Sequence, residues 1–209
     1  MDNYQRIKQE IKTATLIAVS KNRSIEQIRE LQEKGVVDFG ENRVQEFLSK
    51  ATVLPDINWH FIGQLQTNKV KYLIGKVKLI QSLDSGKLAD EIEKQSRKKG
   101  LITECLIQLK FDKQASRGGV RCDDLAALYD HCLTCECLKV RGFMVVAPLD
   151  CDEEKLKAVF TAAHEIYREY RDKNEDISYL SMGMSADYLT ALACGANMLR
   201  IGEKLFTTN

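Results

Sequence analysis

Hydrophobic residues recur along the chain in short β-branched runs that alternate with longer stretches of helical spacing. The run at residues 15–20 is apolar and β-branched, which is typical of a buried strand. In the segment 24–34 that follows, Ile25, Ile28 and Leu31 lie about one helical turn apart, behind a serine that can cap a helix. The first third of the chain therefore opens with one strand followed by one helix.

The same alternation continues to the end of the chain, although the unit repeats in type and not in sequence. We predict strands at 15–20, 36–39, 59–62, 77–83, 101–109, 140–146, 179–182 and 197–201, and helices at 24–34, 43–51, 68–73, 87–99, 123–131, 153–170 and 186–193. Strict alternation favours parallel strands, and eight such units close a barrel. We expect a single (β/α)8 TIM barrel domain over residues 1–209. The alternative is a doubly wound open sheet, because 209 residues is near the lower limit for a complete barrel.

Composition narrows the class of partner. Hydrophobic residues make up 44% of the chain, and 31 Lys and Arg against 30 Asp and Glu give a net charge of +1. A net charge this close to zero produces no long-range electrostatic attraction for nucleic acid or an anionic membrane, so we expect neither as a partner. Residues 1–12 are polar and no apolar run reaches the length of a membrane span, which predicts a cytoplasmic protein. We expect the seven Cys to be mainly buried small hydrophobic residues without disulfides.

Chemistry in a barrel of this type sits at the carboxyl ends of the strands and in the loops after them. Lys21 follows four nonpolar residues and a serine at the end of the first predicted strand. We expect its amine to lie in apolar surroundings, where burial disfavours the ammonium form and makes the amine a better nucleophile toward a carbonyl. The competing interpretation is that one of many cationic side chains ends a strand by chance.

Two later strand ends offer groups for an anion. The sequence at 181–185, Ser-Met-Gly-Met-Ser, places two hydroxyls and a glycine directly before a helix, where free amide groups favour a phosphate. An ordinary serine cap with two core methionines would look the same. Arg200-Ile-Gly202 supplies a fixed cation and a backbone that a ligand can approach closely, but the motif is too short to be specific alone.

Three further residues near strand ends are candidate acids or bases, namely His60, Glu41 and Asp84. We favour a structural role for each. His60 lies between two aromatic residues and is expected to be packed, Glu41 to hold neighbouring loops, and Asp84 to belong to a turn and helix cap.

A cluster of Cys132, Cys135 and Cys137 with His131 raises the question of zinc, since thiolates and imidazole are its usual ligands. The spacing lacks the paired second half of a zinc module, and Cys135 and Cys137 are too close for a common ligand pair. We therefore expect no metal site.

Six blocks of sequence carry a resemblance that runs nearly end to end. They are 18–21 (AVSK), 39–42 (FGEN) continuing to Gln45-Glu46, 59–63 (WHFIG) with Leu65-Gln66 and Asn68-Lys69, 142–144 (GFM), 181–185 (SMGMS) with Asp187, and 200–202 (RIG). On these blocks, in this order, the chain closely resembles the pyridoxal phosphate homeostasis proteins, relatives of the alanine racemase N-terminal barrel. The order makes the resemblance far more specific than any single block.

The resemblance implies a (β/α)8 barrel and a site for pyridoxal 5'-phosphate, held as a Schiff base on Lys21. It assigns the phosphate to Ser185, the backbone around Met184, and the amides of Gly202 and Glu203, with Asn42 beside the cofactor and Arg200 against the pyridine nitrogen. A guanidinium can donate to the ring nitrogen but does not leave a proton on it. The ring then stays a neutral pyridine, a weaker electron sink than a pyridinium.

The function that the resemblance implies is cofactor homeostasis, with the cofactor buffered or delivered to pyridoxal phosphate-dependent apoenzymes by a monomeric protein without an established reaction. The alternative is an amino-acid racemase that uses Lys21 as one base. Racemisation needs a second acid or base on the other face of the cofactor, which in alanine racemases is a tyrosine from an additional C-terminal domain. We expect the barrel to occupy all 209 residues, leaving no room for that domain.

One residue departs from the family pattern. After Arg200-Ile-Gly202, where relatives usually carry Thr or Ser, this chain has Glu203. A hydroxyl can donate to phosphate and a carboxylate cannot, so we expect Glu203 to turn outward, toward Lys204 or Lys69, and binding to survive in weakened form.

Overall fold

Eight parallel strands close into a barrel in the computed structural model, which describes residues 2–111, 118–148 and 151–206. The barrel strands are β1 (Thr15–Val19), β2 (Asp38–Glu41), β3 (Asn58–Phe61), β4 (Leu79–Leu83), β5 (Thr103–Lys110), β7 (Leu138–Val145), β8 (Tyr179–Ser181) and β9 (Met198–Ile201), while the short β6 (Val120–Arg121) pairs with β5 outside the ring. Each strand pairs with the next in chain order, β5 pairs with both β4 and β7, and β9 returns to β1. The (β/α)8 barrel is confirmed, and the open sheet is excluded by the β1–β9 and β4–β5 pairings.

The helices cover the outside of the ring. They are α1 (Asn3–Ile11), α2 (Ile25–Glu33), α3 (Val44–Ala51), α4 (Gly86–Lys99), α5 (Cys122–Leu133), α6 (Glu153–Lys173), α7 (Tyr188–Ala193) and α8 (Glu203–Phe206), with a 3₁₀ helix at Thr67–Tyr72. None of these helices is long and apolar enough to cross a membrane.

Three elements are absent from the sequence prediction: α1, β6 and α8. The signals for α1 were Ile7 and Ile11 at a spacing of four, both buried, and a capping box in which Asp2 and Gln5 satisfy each other's backbone amides. Because most residues of this segment are polar, these signals did not lead to a helix prediction. The segment at 68–73, predicted as an ordinary helix, is the 3₁₀ helix.

The second strand lies two residues later than the apolar run at 36–39 predicts. Val36 is buried in the outer core, but Val37 is 53% exposed, and the strand proper begins at Asp38. Pairing decides this register, since Asp38 and Gly40 lie opposite Asn58 and His60 of β3. Gly40 and Glu41 consequently belong to the strand, not to the loop after it.

The core has two layers. The larger lies between the strands and the helices, whereas a small apolar layer inside the barrel consists of Ile17, Leu79, Leu106, Met144 and Met198. Several buried polar side chains share the interior with that small layer, among them His60, Gln81, Ser181 and Arg200. The barrel interior is thus unusually polar for a packed core.

Candidate functional site

The seven residues expected to contact a cofactor all lie at one end of the barrel. Lys21 and Asn42 follow β1 and β2, Met184 and Ser185 follow β8, Arg200 lies in β9, and Gly202 and Glu203 come directly after it. These four strands are adjacent in the order β2-β1-β9-β8. The fold therefore brings residues that are up to 182 positions apart to neighbouring carboxyl ends, as the strand-end rule predicts.

The turn after β8 meets the turn after β9 at Ser185 and Gly202. The Gly202 amide donates to Ser185 Oγ at 3.3 Å, although the two residues are 17 positions apart. Gly202 also passes close to β1, since a Cβ there would lie 3.2 Å from both Cβ and the carbonyl oxygen of Val19. A larger residue would crowd the end of β1, next to Lys21.

The Met184 amide has a partner inside its own turn. It donates to Asp187 Oδ1 at 2.5 Å, which ties the turn to the start of α7. Gly183, with φ of +92°, allows the chain to enter this turn, and a Cβ there would lie 2.6 Å from that of Ala191. Any ligand that used the Met184 amide would have to take it from Asp187.

Arg200 is 3% exposed and points into the barrel. Its Nη1 donates to Ser181 Oγ and its Nη2 to the Val145 carbonyl, both at 2.7 Å. Burial lowers the pKa of Arg200 to about 10, against a smaller opposite effect of the Asp187 carboxylate. The guanidinium therefore remains charged at neutral pH, and its donors are fixed in direction.

A chain of hydrogen bonds continues from Arg200 across the barrel interior. Ser181 Oγ donates to Gln81 Oε1 at 2.7 Å, Gln81 Nε2 lies 3.2 Å from His60 Nδ1, and His60 Nε2 lies 3.0 Å from Asp38 Oδ1. An amide nitrogen can only donate, so His60 Nδ1 accepts and its proton is on Nε2, directed at Asp38. His60 is a buried link in this chain, in agreement with the structural role favoured for it. Sequence reasoning missed the chain itself.

The burial of His60 predicts how the stability of the protein depends on pH. Burial lowers the pKa of His60 from its usual 6.5, against the opposite influence of Asp38. The unfolded chain therefore takes up a proton first as the pH falls below about 6.5, and the free energy of unfolding should fall with it, by at most about 1.4 kcal/mol per pH unit. We expect His60→Gln to remove this slope. Urea unfolding of both proteins near pH 7.5 and pH 5.5 measures it, and equal slopes would show that His60 does not titrate between the two states.

Lys21 differs from expectation in its surroundings. Its side chain is exposed, and it makes no hydrogen bond or ion pair with any described residue, so the predicted apolar environment is wrong. The reason is that the strand ends at Val19, two residues earlier, which carries Lys21 beyond the barrel wall. Asn42, directly after the neighbouring strand β2, is half-buried, and its Oδ1 is buried without a hydrogen-bond partner in the part of the chain that the structure describes.

The cysteines form no centre of their own. Among residues 2–111, 118–148 and 151–206, no group of three or more His, Cys, Asp or Glu side chains could hold a metal ion. All seven cysteines are free, but only Cys105, Cys132 and Cys194 are buried, so the expectation that most are buried is wrong. Burial raises the pKa of Cys132 to about 12, which makes it an inert thiol at neutral pH.

Comparison with known proteins agrees with this architecture. The family model described as "Alanine racemase, N-terminal domain" matches residues 1–209. The pyridoxal phosphate homeostasis protein of Aquifex aeolicus is 43% identical over 196 residues, covering 92% of this chain and 86% of that protein. The protein of the same name from Helicobacter pylori strain J99 is 39% identical over 195 residues, covering 91% and 86%.

Solved structures show the same barrel. PipY of Synechococcus elongatus PCC7942, with pyridoxal phosphate bound, superposes with a TM-score of 0.91 at 33% identity, covering 98% of each chain. An alanine racemase from Clostridium difficile 630 superposes with a TM-score of 0.81 at 14% identity, covering 99% of this chain but 56% of that one, which shows a shared fold only. The chain therefore belongs to the alanine racemase N-terminal domain family and, within it, to the pyridoxal phosphate homeostasis proteins.

Proposed function

We propose that this protein binds pyridoxal 5'-phosphate as a Schiff base on Lys21 and buffers or delivers it to apoenzymes, without turning over an amino-acid substrate. The observation that carries the proposal is the convergence of Lys21, Arg200 and the Ser185–Gly202 contact at the carboxyl ends of adjacent strands. The PLP-bound PipY structure, which superposes along nearly the whole chain, supports it. We further propose a monomer that works in the cytoplasm, where its seven free thiols stay reduced.

The residues present fit the cofactor. Both side-chain hydrogen bonds of Arg200 use its terminal nitrogens, and no described residue bonds to Nε, which leaves that donor for a ring nitrogen. Asn42 Oδ1 is a buried acceptor with no partner among the described residues. Buried polar groups of native proteins are normally paired, so an orphaned one at the end of the strand next to β1 is consistent with a ligand that pairs it.

The phosphate end is met by Ser185 and Gly202. Phosphate oxygens accept, and both the Gly202 amide and the Ser185 hydroxyl donate, so binding would replace the 3.3 Å bond between them with two bonds to the ligand. The missing Cβ of Gly202 lets the ligand approach the backbone. When bound, pyridoxal phosphate supplies an aldehyde, toward which the Lys21 amine is the nucleophile.

Two features favour a carrier over a racemase. Arg200 is held as a donor by Ser181 and Val145, so the ring nitrogen that it faces stays unprotonated and the ring is a weak electron sink. Tyr188, three residues after Ser185, is buried, and its hydroxyl donates to Glu10 of α1. It packs between α1 and α7 and is not available as a second base.

The proposal is tested on the purified protein saturated with pyridoxal phosphate. We expect visible Schiff-base absorbance that borohydride abolishes, with the reduced adduct mapped by mass spectrometry to Lys21. The same protein should racemise alanine and serine at far below about 1 per second, the lower part of the ordinary enzyme range. An adduct on another lysine would contradict the assignment of the Schiff base to Lys21. Lys21-dependent racemisation at about 1 per second would contradict the carrier function.

Glu203 gives a prediction about affinity. Its exposed carboxylate directly follows Gly202, at a position where the resemblance implies a hydroxyl. Since screened surface charges act weakly, we expect Glu203→Thr to lower the dissociation constant for pyridoxal phosphate roughly two- to fivefold at low salt, with a smaller difference at high salt. Glu203→Gln serves as the control, because it removes the charge without adding the hydroxyl. Equal dissociation constants for all three proteins at low salt would show that residue 203 does not influence phosphate binding.

A further inference from the structure

A buried lysine outside the predicted site lies behind the end of β1. Lys50, in the last turn of α3, is 5% exposed. Its ammonium donates to the Ser20 carbonyl at 2.6 Å and to Oε1 of both Glu41 and Glu46 at 2.7 Å. An ammonium has three N–H groups, so these bonds use all of them.

Helix stability alone does not account for this arrangement. Glu46 and Lys50 are four residues apart on α3, a spacing that stabilises a helix as well on the surface as in the interior. The same pair exists in exposed form on α6, where Lys173 and Glu169 are also 2.7 Å apart. Burying an ammonium carries a desolvation cost that the exposed pair avoids. The position of Lys50 therefore calls for a function that the surface pair lacks.

The contacts of this cluster enclose Lys21. The Ser20 carbonyl, which Lys50 holds, belongs to the peptide group before Lys21. The Asn22 amide, which belongs to the peptide group after it, donates to Glu46 Oε1 at 2.5 Å. Rotation about the two backbone bonds of Lys21 moves these peptide groups, so holding both fixes the direction in which its side chain leaves the chain. Asn22 itself is held in the left-handed region, with φ of +58°.

Glu41 connects the cluster to the neighbouring strand. It is fully buried at the end of β2, and its Oε1 accepts from Ser20 Oγ at 2.6 Å as well as from Lys50. Ser20 is thus held twice, through its hydroxyl by β2 and through its carbonyl by α3. The segment around Lys21 is fixed to two elements that do not depend on a ligand.

We infer that Lys50, Glu41 and Glu46 form a backbone clamp whose role is to position Lys21 for attack on the aldehyde of pyridoxal phosphate. The inference rests on the proposed function. The Lys50 ammonium bonds to Ser20, Glu41 and Glu46, and not to the Lys21 amine or to a described residue expected to contact the cofactor, so Lys50 is a positioning residue. Correct orientation of a nucleophile before the reaction accounts for a large part of the rate of such reactions. An exposed lysine therefore needs a rigid backbone to hold its side chain in the right direction.

The test compares three clamp variants with matched controls, each titrated with pyridoxal phosphate. Glu46→Ala removes the acceptor of the Asn22 amide at a partly exposed position, whereas Glu46→Gln retains an oxygen there. Lys50→Met combined with Glu41→Gln removes the buried ammonium together with the fully buried carboxylate, so Glu41 is not left as an unpaired buried charge. Lys173→Met breaks the equivalent surface pair, and Phe47→Leu weakens α3 through its buried side without touching the clamp.

We expect Glu46→Ala and the double variant to raise the dissociation constant at least tenfold, to slow Schiff-base formation on Lys21, and to reduce the circular dichroism of the visible band per bound chromophore. Glu46→Gln should lie close to wild type, as should Lys173→Met. Phe47→Leu should lower the unfolding temperature while leaving the visible dichroism unchanged.

Wild-type affinity, rate and dichroism in Glu46→Ala would overturn the clamp, whatever its unfolding temperature. So would an equal loss in Phe47→Leu, because the effect would then be general destabilisation of α3. The proposed function stands in both cases if borohydride still traps the cofactor on Lys21 of the wild-type protein. The proposed function fails, independently of the clamp, if borohydride traps the cofactor on a different lysine of the wild-type protein.

Discussion

Replacement of Lys21 by alanine is expected to abolish reducible attachment of pyridoxal phosphate and to leave the barrel folded. The Lys21 side chain is exposed and bonds to no described residue, so its loss should change the free energy of unfolding by no more than about 0.5 kcal/mol. The cofactor loses its covalent bond but retains Ser185, Gly202 and Arg200. We therefore expect weak binding with no visible Schiff-base band, measured by absorbance and by mass spectrometry after borohydride treatment.

Lys87 provides the matched control for this substitution. It is also an exposed lysine shortly after a barrel strand, at the start of α4. Lys87→Ala should keep the wild-type spectrum and a single adduct on Lys21. If the Lys21→Ala protein were still reducibly labelled to the wild-type extent, the assignment of the Schiff base to Lys21 would be wrong.

Gly142→Ala is expected to have the largest effect on stability. A Cβ at this position in β7 would lie 1.9 Å from the Tyr179 carbonyl oxygen, and φ is +142°. Gly142 sits in a bulge, because β7 advances from Val140 to Phe143 while its partner β5 advances only from Cys105 to Ile107. The obstructing atoms belong to the backbone of β8 and can move only if the β7–β8 pairing opens.

We expect the free energy of unfolding to fall by at least about 4 kcal/mol, or the protein not to fold. Gly100→Ala separates the clash from the backbone strain, since Gly100 also has a positive φ, of +63°, but a Cβ added there would meet no atom within 4 Å. That variant should lose only about 1 kcal/mol. Urea unfolding of both proteins measures the difference, and similar losses would show that the clash with Tyr179 is relieved without opening the barrel.

The barrel and the end at which chemistry occurs follow from local pattern. Short β-branched runs that alternate with helical spacing predict parallel strands, and eight of them predict closure. Residues at strand ends, such as Lys21 and Ser185, are then placed at one end of the barrel without knowledge of their contacts. The precise ends of the strands do not follow in this way, since the register of β2 depends on its pairing with β3, and apolar residues before a strand look like the strand itself.

The sequence by itself determined the fold class, the family and the positions that meet at one end of the barrel, because these depend on periodicity and on motifs that are local in the chain. Only the tertiary structure decided which polar residues act together. Ser181 and Gln81 are 100 positions apart in the chain but are hydrogen-bonded in the barrel. Lys50 occupies a helix position that the sequence pattern would equally assign to an exposed lysine. A buried and an exposed lysine look alike in one sequence. The difference arises only when β2 and α3 each place a carboxylate, and the end of β1 a carbonyl, around the ammonium, which offsets its desolvation.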